Sequence, residues 1–225
     1  MLRACLVFLP LFALSQVYDV GFLVVNGVYN TELTAPYDIL EHSRYRDPNR
    51  YFRCFLVSPD SGHVKTAEGL VLQVDYSFET CPKLDVLVVP SAENSMGSDL
   101  ENAGLMAWVR KRIEEAQIVI SLCDGAFVLA ESGALDGMNV TTFPADQDEL
   151  QKRYPTLSVH KSVSLVQDGK FITSVGGAKS FDPALFLTEK WFSAEIAKRT
   201  AQGLVIDWDR KTLSHFEGQS LPGPQ

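Results

Sequence analysis

Clusters of positive charge are what this chain most plainly lacks. Its 225 residues carry 20 Lys and Arg against 28 Asp and Glu, a formal net charge of −8 at pH 7. The one basic triplet, Arg110-Lys111-Arg112, falls on an expected helix and reads as a solvated face, so the composition argues against a nucleic-acid partner. Low-complexity tracts and internal repeats of useful length are also missing, which points to a single domain with short appendages. Neither a cofactor-binding fingerprint nor a metal-ligand cluster is read from the chain. With 46% hydrophobic and 21% charged residues, it has enough apolar material for one α/β domain.

The longest apolar stretch is too short for a comfortable membrane span. It lies at the N-terminus, where Arg3 precedes Ala4 through Leu14, and Ala13 and Ser15 stand at the minus-three and minus-one positions before Gln16. That pattern reads as a signal peptide over residues 1–15, with a secreted or periplasmic destination. Its removal takes away Cys5 and leaves Cys54, Cys81 and Cys123. A Cys54–Cys81 pair would leave Cys123 as the free thiol, although sequence does not bring the two together.

What is present is a nucleophile-like corner. Ile118-Val119-Ile120-Ser121-Leu122 is a strand-like run that delivers Cys123-Asp124-Gly125 into a helix. A sulfur exposed on such a corner sits beside the first helix amides, whose partial positive charge lowers a thiol pKa. A buried, inert cysteine is the competing reading of the same residues. Further strands are expected at Val20–Val25, Phe52–Val57 and Val86–Val89, with a hairpin over 162–174. Helices are expected from Thr34 to Arg44, Glu101 to Ala116, 145–153 and Pro183 to Gly203. Alternating strands and helices imply a mostly parallel, doubly wound sheet, whose ligands bind at the carboxyl ends of the strands. Glu32 would lie on that rim and could serve as acid or base to the sulfur; an ordinary first-turn helix acid is the alternative.

Together Asn26-Gly27, Glu32 with Pro36, Val88-Val89-Pro90, Cys123-Asp124-Gly125-Ala126, Leu135-Asp136-Gly137, Thr141-Thr142 and Thr173 through Phe181 form an ordered pattern. It resembles the DJ-1/PfpI family of the class I glutamine amidotransferase-like superfamily, over about 17–208. Within the family it looks similar to the branch of isonitrile hydratases and amidotransferase-like domains of AraC-type regulators. The resemblance implies a flavodoxin-like domain over 16–208, a nucleophile elbow at Cys123 with Glu32 as partner, and a homodimer. It also implies oxyanion donation by the backbone amides of Ala92 and Asp124. Residues 209–225 read as a loose C-terminal tail.

Two departures matter. Family members often carry histidine after the paired threonines, where Phe143 stands here, and a glycine pair where this chain has Ser91-Ala92. None of His42, His63, His160 and His215 is a strong replacement, so the site reads as a cysteine–carboxyl pair. The expected activity is addition of the Cys123 thiolate to a small electrophilic carbon of the isonitrile, glyoxal or amide class, in a hydrolase, hydratase or lyase. A redox-sensing thiol protein and a catalytically inactive binding domain are the other readings.

Overall fold

The fold follows from β-rich runs whose alternate residues must be covered on both sides. In a computed structural model describing residues 16–225, eight strands form one twisted sheet. They are β1 (Gln16–Leu23), β2 (Arg50–Ser58), β3 (Tyr76–Ser77), β4 (Val86–Val89), β5 (Ile118–Leu122), β6 (Leu165–Asp168), β7 (Phe171–Ser174) and β8 (His215–Glu217). Their spatial order is β8-β6-β7-β5-β4-β1-β2-β3. Every neighbouring pair is parallel except the β6–β7 hairpin.

The period-two pattern sorts side chains into two apolar layers. Val20, Phe22, Val86, Val88, Ile118 and Ile120 join one cluster with residues of helices α1 (Asn30–His42), α5 (Phe181–Trp191) and α6 (Ala194–Gly203). Leu23, Leu87, Val89 and Val119 join the other, with residues of α2 (Ala103–Glu115), α3 (Gly125–Glu131) and α4 (Gln147–Arg153). Helices on both faces of a mostly parallel sheet are the doubly wound architecture that the strand alternation implied. Register aligns Phe22 with Val88, and Val88 with Ile120. The carboxyl ends of β1, β4 and β5 therefore share one rim, joined by β7 through the Ser174–Leu122 pairing.

Several boundaries differ from expectation. Helix α1 starts at Asn30, so Glu32 is inside its first turn and Pro36 lies within the helix. The proline lacks the N–H that would donate to the Glu32 carbonyl four residues back, so one bond of the helix is missing there. The expected helix to Gly203 is two, because Ser193 interrupts it in an extended conformation and caps α6 by accepting from Ile196 N. Residues 209–225 are no loose tail: β8 pairs with β6, Trp191 Nε1 donates to the Pro222 carbonyl, and Arg210 bridges Glu189 and Glu217. The edge of the sheet supplied backbone partners that composition does not encode.

The Cys54–Cys81 pairing that the sequence left open is not formed. Both are free buried thiols, in opposite apolar layers. The expected signal peptide over residues 1–15 lies outside the described residues.

Candidate active site

The corner after β5 is strained. Cys123 adopts φ of 51°, a left-handed conformation that costs a non-glycine residue roughly 1–2 kcal/mol. It is held by Cys123 N donating to Ser174 O at 2.9 Å and by Thr142 Oγ1 donating to Cys123 O at 2.9 Å. Gly125 lets the corner press on β4, since a Cβ there would stand 2.1 Å from the Val89 carbonyl oxygen. The result differs from an exposed sulfur: Cys123 retains 7% of its accessible surface.

The carboxyl of Glu32 is clamped between two loops. Oε2 accepts from Ser91 N after β4 and Oε1 accepts from Gly177 N after β7, both at 3.2 Å. Its carboxyl also interacts with the Cys123 thiol, and Glu32 Oε1 and Cys123 Cβ both border Gly176. Gly176, at φ of 78°, makes the approach possible. A Cβ there would lie 2.4 Å from Cys123 Cβ and 2.7 Å from Glu32 Oε1.

Electrostatics reverse one expectation. Burial pushes the Glu32 carboxyl up despite its two amide donors. Burial first, then the negative charges of Glu32 and Asp124, push the Cys123 thiol far above its ordinary range rather than below it. The Asp124 amide favours the thiolate, but one backbone dipole does not outweigh a buried carboxylate alongside. Cys123 and Glu32 act on each other, so they titrate as a coupled pair.

The two expected oxyanion donors fare differently. The Asp124 amide faces the sulfur. The Ala92 amide is occupied, donating to Ser95 Oγ at 2.8 Å, while Ser95 N returns a bond to Ala92 O at 3.0 Å.

Four contributors escaped sequence reading: Gly176, Ser91, Ser95 and Tyr29. Tyr29 N donates to Ser91 O at 3.1 Å, and burial together with Glu93, Cys123, Asp124 and Glu32 raises its phenol pKa, which places the phenol among the acids at the site. Of the histidines, His160 bonds Asn139 and packs on Phe216, and His215 bonds Glu217. Phe143 is 42% exposed where the family often has histidine. Among the described residues no group of His, Cys, Asp and Glu is suited to hold a metal ion.

Similar proteins agree with this architecture. The chain is 32% identical over 181 residues to an isonitrile hydratase of Pseudomonas putida, covering 80% of this chain and 75% of that protein. It is 29% identical over 164 residues to the HTH-type transcriptional regulator CdhR of Pseudomonas aeruginosa, covering 73% of this chain and 48% of the regulator. Crystallographic Drosophila melanogaster DJ-1beta superposes with a TM-score of 0.75 at 20% identity, covering 86% of this chain and all of that one. A ThiJ/PfpI family protein from Pseudomonas syringae gives the same TM-score at 21% identity over 92% of this chain and 84% of its own. The family model for DJ-1/PfpI matches residues 19–190, and the chain belongs to the DJ-1/PfpI family.

Proposed function

We propose that this protein is a cysteine-dependent enzyme that adds Cys123 Sγ to a small electrophilic carbon of the isonitrile, glyoxal or amide class. The observation that carries the proposal is the Glu32 carboxyl, fixed by amides of two separate loops against a thiol on a strained corner. A thiol kept protonated needs a base at the moment of attack. Glu32, raised by burial toward the range of a useful base, supplies it. As the S–C bond forms, the Sγ proton passes to Glu32 and then to the substrate atom that receives the electron pair. The Asp124 amide faces the charge that develops there.

The groups acting on the pair favour an uncharged substrate. Glu68 acts on Glu32, Asp146 on Asp124 and Glu93 on the neighbouring Tyr29, and all three are acidic. The similarity to an isonitrile hydratase puts isonitriles first among the candidates. A redox-sensing role ranks lower, because peroxide oxidation depends on thiolate character that burial suppresses here.

The test is a turnover screen of small isonitriles, methylglyoxal and small amides with wild type, Cys123→Ser and Glu32→Gln. One class should be consumed by wild type and by neither variant. Consumption that survives Cys123→Ser would sink the proposal. The proposal extends to export with loss of residues 1–15, supported by their charge and apolar pattern, and to a homodimer, supported by family resemblance. An uncleaved intracellular chain would overturn the first, and a monomer in sedimentation the second.

A further inference from the structure

We propose that the Asp124 side chain is a second catalytic carboxyl, the group that takes a proton from water when the Cys123 adduct is cleared. This rests on the reading of Cys123 as the nucleophile and assigns what that reading leaves open, namely the partner of water where no histidine reaches the sulfur.

Two carboxyls act on the Cys123 thiol. Glu32 reaches it from α1, and Asp124 reaches it from the first position after the corner. Asp124 makes no side-chain cap for α3, the ordinary duty of an aspartate before a helix. Its Oδ1 instead lies 3.1 Å from Thr142 Oγ1, whose single hydrogen is shared between that carboxyl and the Cys123 carbonyl. Thr142 is completely buried, so it acts as a positioning residue that ties the acid to the corner carrying the nucleophile.

The charged and titratable groups facing Asp124 come from several elements. They are Asp146 from the turn before α4, Glu32 from α1, Tyr29 ahead of α1, and Cys123 itself. Burial first and Asp146 next raise the Asp124 carboxyl to about 6. A carboxylate poised there is ionised at neutral pH and basic enough to accept a proton. Glu32 is less suited to water, because both of its oxygens are engaged by amides.

The chemistry balances on a thioester or thioimidate adduct. Water oxygen bonds to the adduct carbon, one water proton goes to Asp124, and the C=O or C=N π pair moves to oxygen or nitrogen. That pair then re-forms the double bond, the C–S bond breaks with its electrons on sulfur, and Asp124 returns the proton to Sγ. The product leaves as a carboxylic acid or an imidic acid that becomes a formamide, and both groups are back in their starting states.

The experiment uses p-nitrophenyl acetate with the full chain, following nitrophenolate release and the intact mass of the protein. Wild type should form an acetyl adduct on Cys123 and clear it, with an acid limb near pH 6. Asp124→Asn should still acylate, giving a stoichiometric burst, and clear the adduct roughly 10²-fold more slowly. Thr142→Val removes a hydrogen bond that favours ionised Asp124, so its acid limb should move to higher pH, an effect that loss of packing would not produce. Clearance as fast in Asp124→Asn as in wild type, or an unmoved limb in Thr142→Val, overturns the role of Asp124 alone. Absence of any Cys123 adduct in wild type overturns the nucleophile reading beneath it.

Discussion

Cys54 and Cys123 are buried to almost the same extent, retaining 8% and 7% of their surface, yet their surroundings differ. Cys54 sits within β2, in the apolar layer against α1. Glu41 comes close, but it accepts from the Cys54 amide at 3.0 Å, and Tyr37 donates to its carbonyl at 3.2 Å. Both partners bond the backbone, and the charge that acts on the Cys54 sulfur is the Arg44 cation, not a carboxylate. Cys123 has a carboxyl on either side. Burial raises both thiols, so exposure does not separate an inert cysteine from a nucleophile. A nearby proton acceptor does.

The harshest trial of that contrast exchanges the two sulfurs in turn. Cys123→Ser should lower turnover by a factor on the order of 10⁴ or more, because the reacting atom itself is replaced. Cys54→Ser should keep turnover and cost stability of about 1–3 kcal/mol, the penalty for a hydroxyl among apolar groups. Steady-state rates and urea melts of both variants check this. Equal losses of rate in the two would erase the distinction.

A smaller loss, roughly 10²–10⁴-fold, is expected of Glu32→Gln, which keeps the shape and removes the base. The same variant decides where the shared proton rests. Removing a negative charge that raises the thiol should move the pH profile of iodoacetamide alkylation at Cys123 to lower pH. A shift to higher pH would mean that Glu32 rests as an acid donating to a thiolate. Cys54 should resist alkylation in the folded protein in either case.

The approach of carboxyl to sulfur depends on Gly176, and Gly176→Ala should cost about 2–5 kcal/mol through left-handed strain and overpacking. No glycine at Cys54 carries such a duty. Denaturant melts check the cost, and alkylation kinetics check the expected displacement of Glu32 from the sulfur. Unchanged stability would mean that the pocket relaxes around a methyl group.

Legibility in the sequence followed the range of each interaction. The strand-corner-helix around Cys123 is local, and period-two strands with helices between them announce a doubly wound sheet. Glu32 was recoverable from its position after β1. The start of α1 was misread because Pro36 signals a helix boundary more often than a second-turn residue. Long-range partners were not legible. The 209–225 segment contains Pro and Gly and looks loose, yet β6 offers an open edge to residues 215–217. Nor does Ser95 announce that it occupies the Ala92 amide, since that bond depends on a turn rather than a motif. The thiol's direction of shift was misread for the same reason: a helix amide is visible in sequence, but the depth of burial and the two converging carboxyls are properties of the folded chain.

The smallest expected effect concerns the cost of holding acids beside Cys123. Asp124 titrates at about 6 when folded against 3.8 for the free group. Between those values the folded state holds the proton that the unfolded state has released, so stability falls as pH rises through this window. The loss is complete above the folded value. Solvent reaching the carboxyl limits it to about 1–2 kcal/mol. Urea melts at pH 4 and pH 7 should therefore show part of the wild-type decline vanish in Asp124→Asn, which has no proton to release. Cys54→Ser should keep the full decline, since a buried thiol does not titrate in that range. If Asp124→Asn declines as steeply as wild type, the acid is not destabilised where it stands. Its place beside the sulfur would then be without the energetic cost expected of a group kept for chemistry.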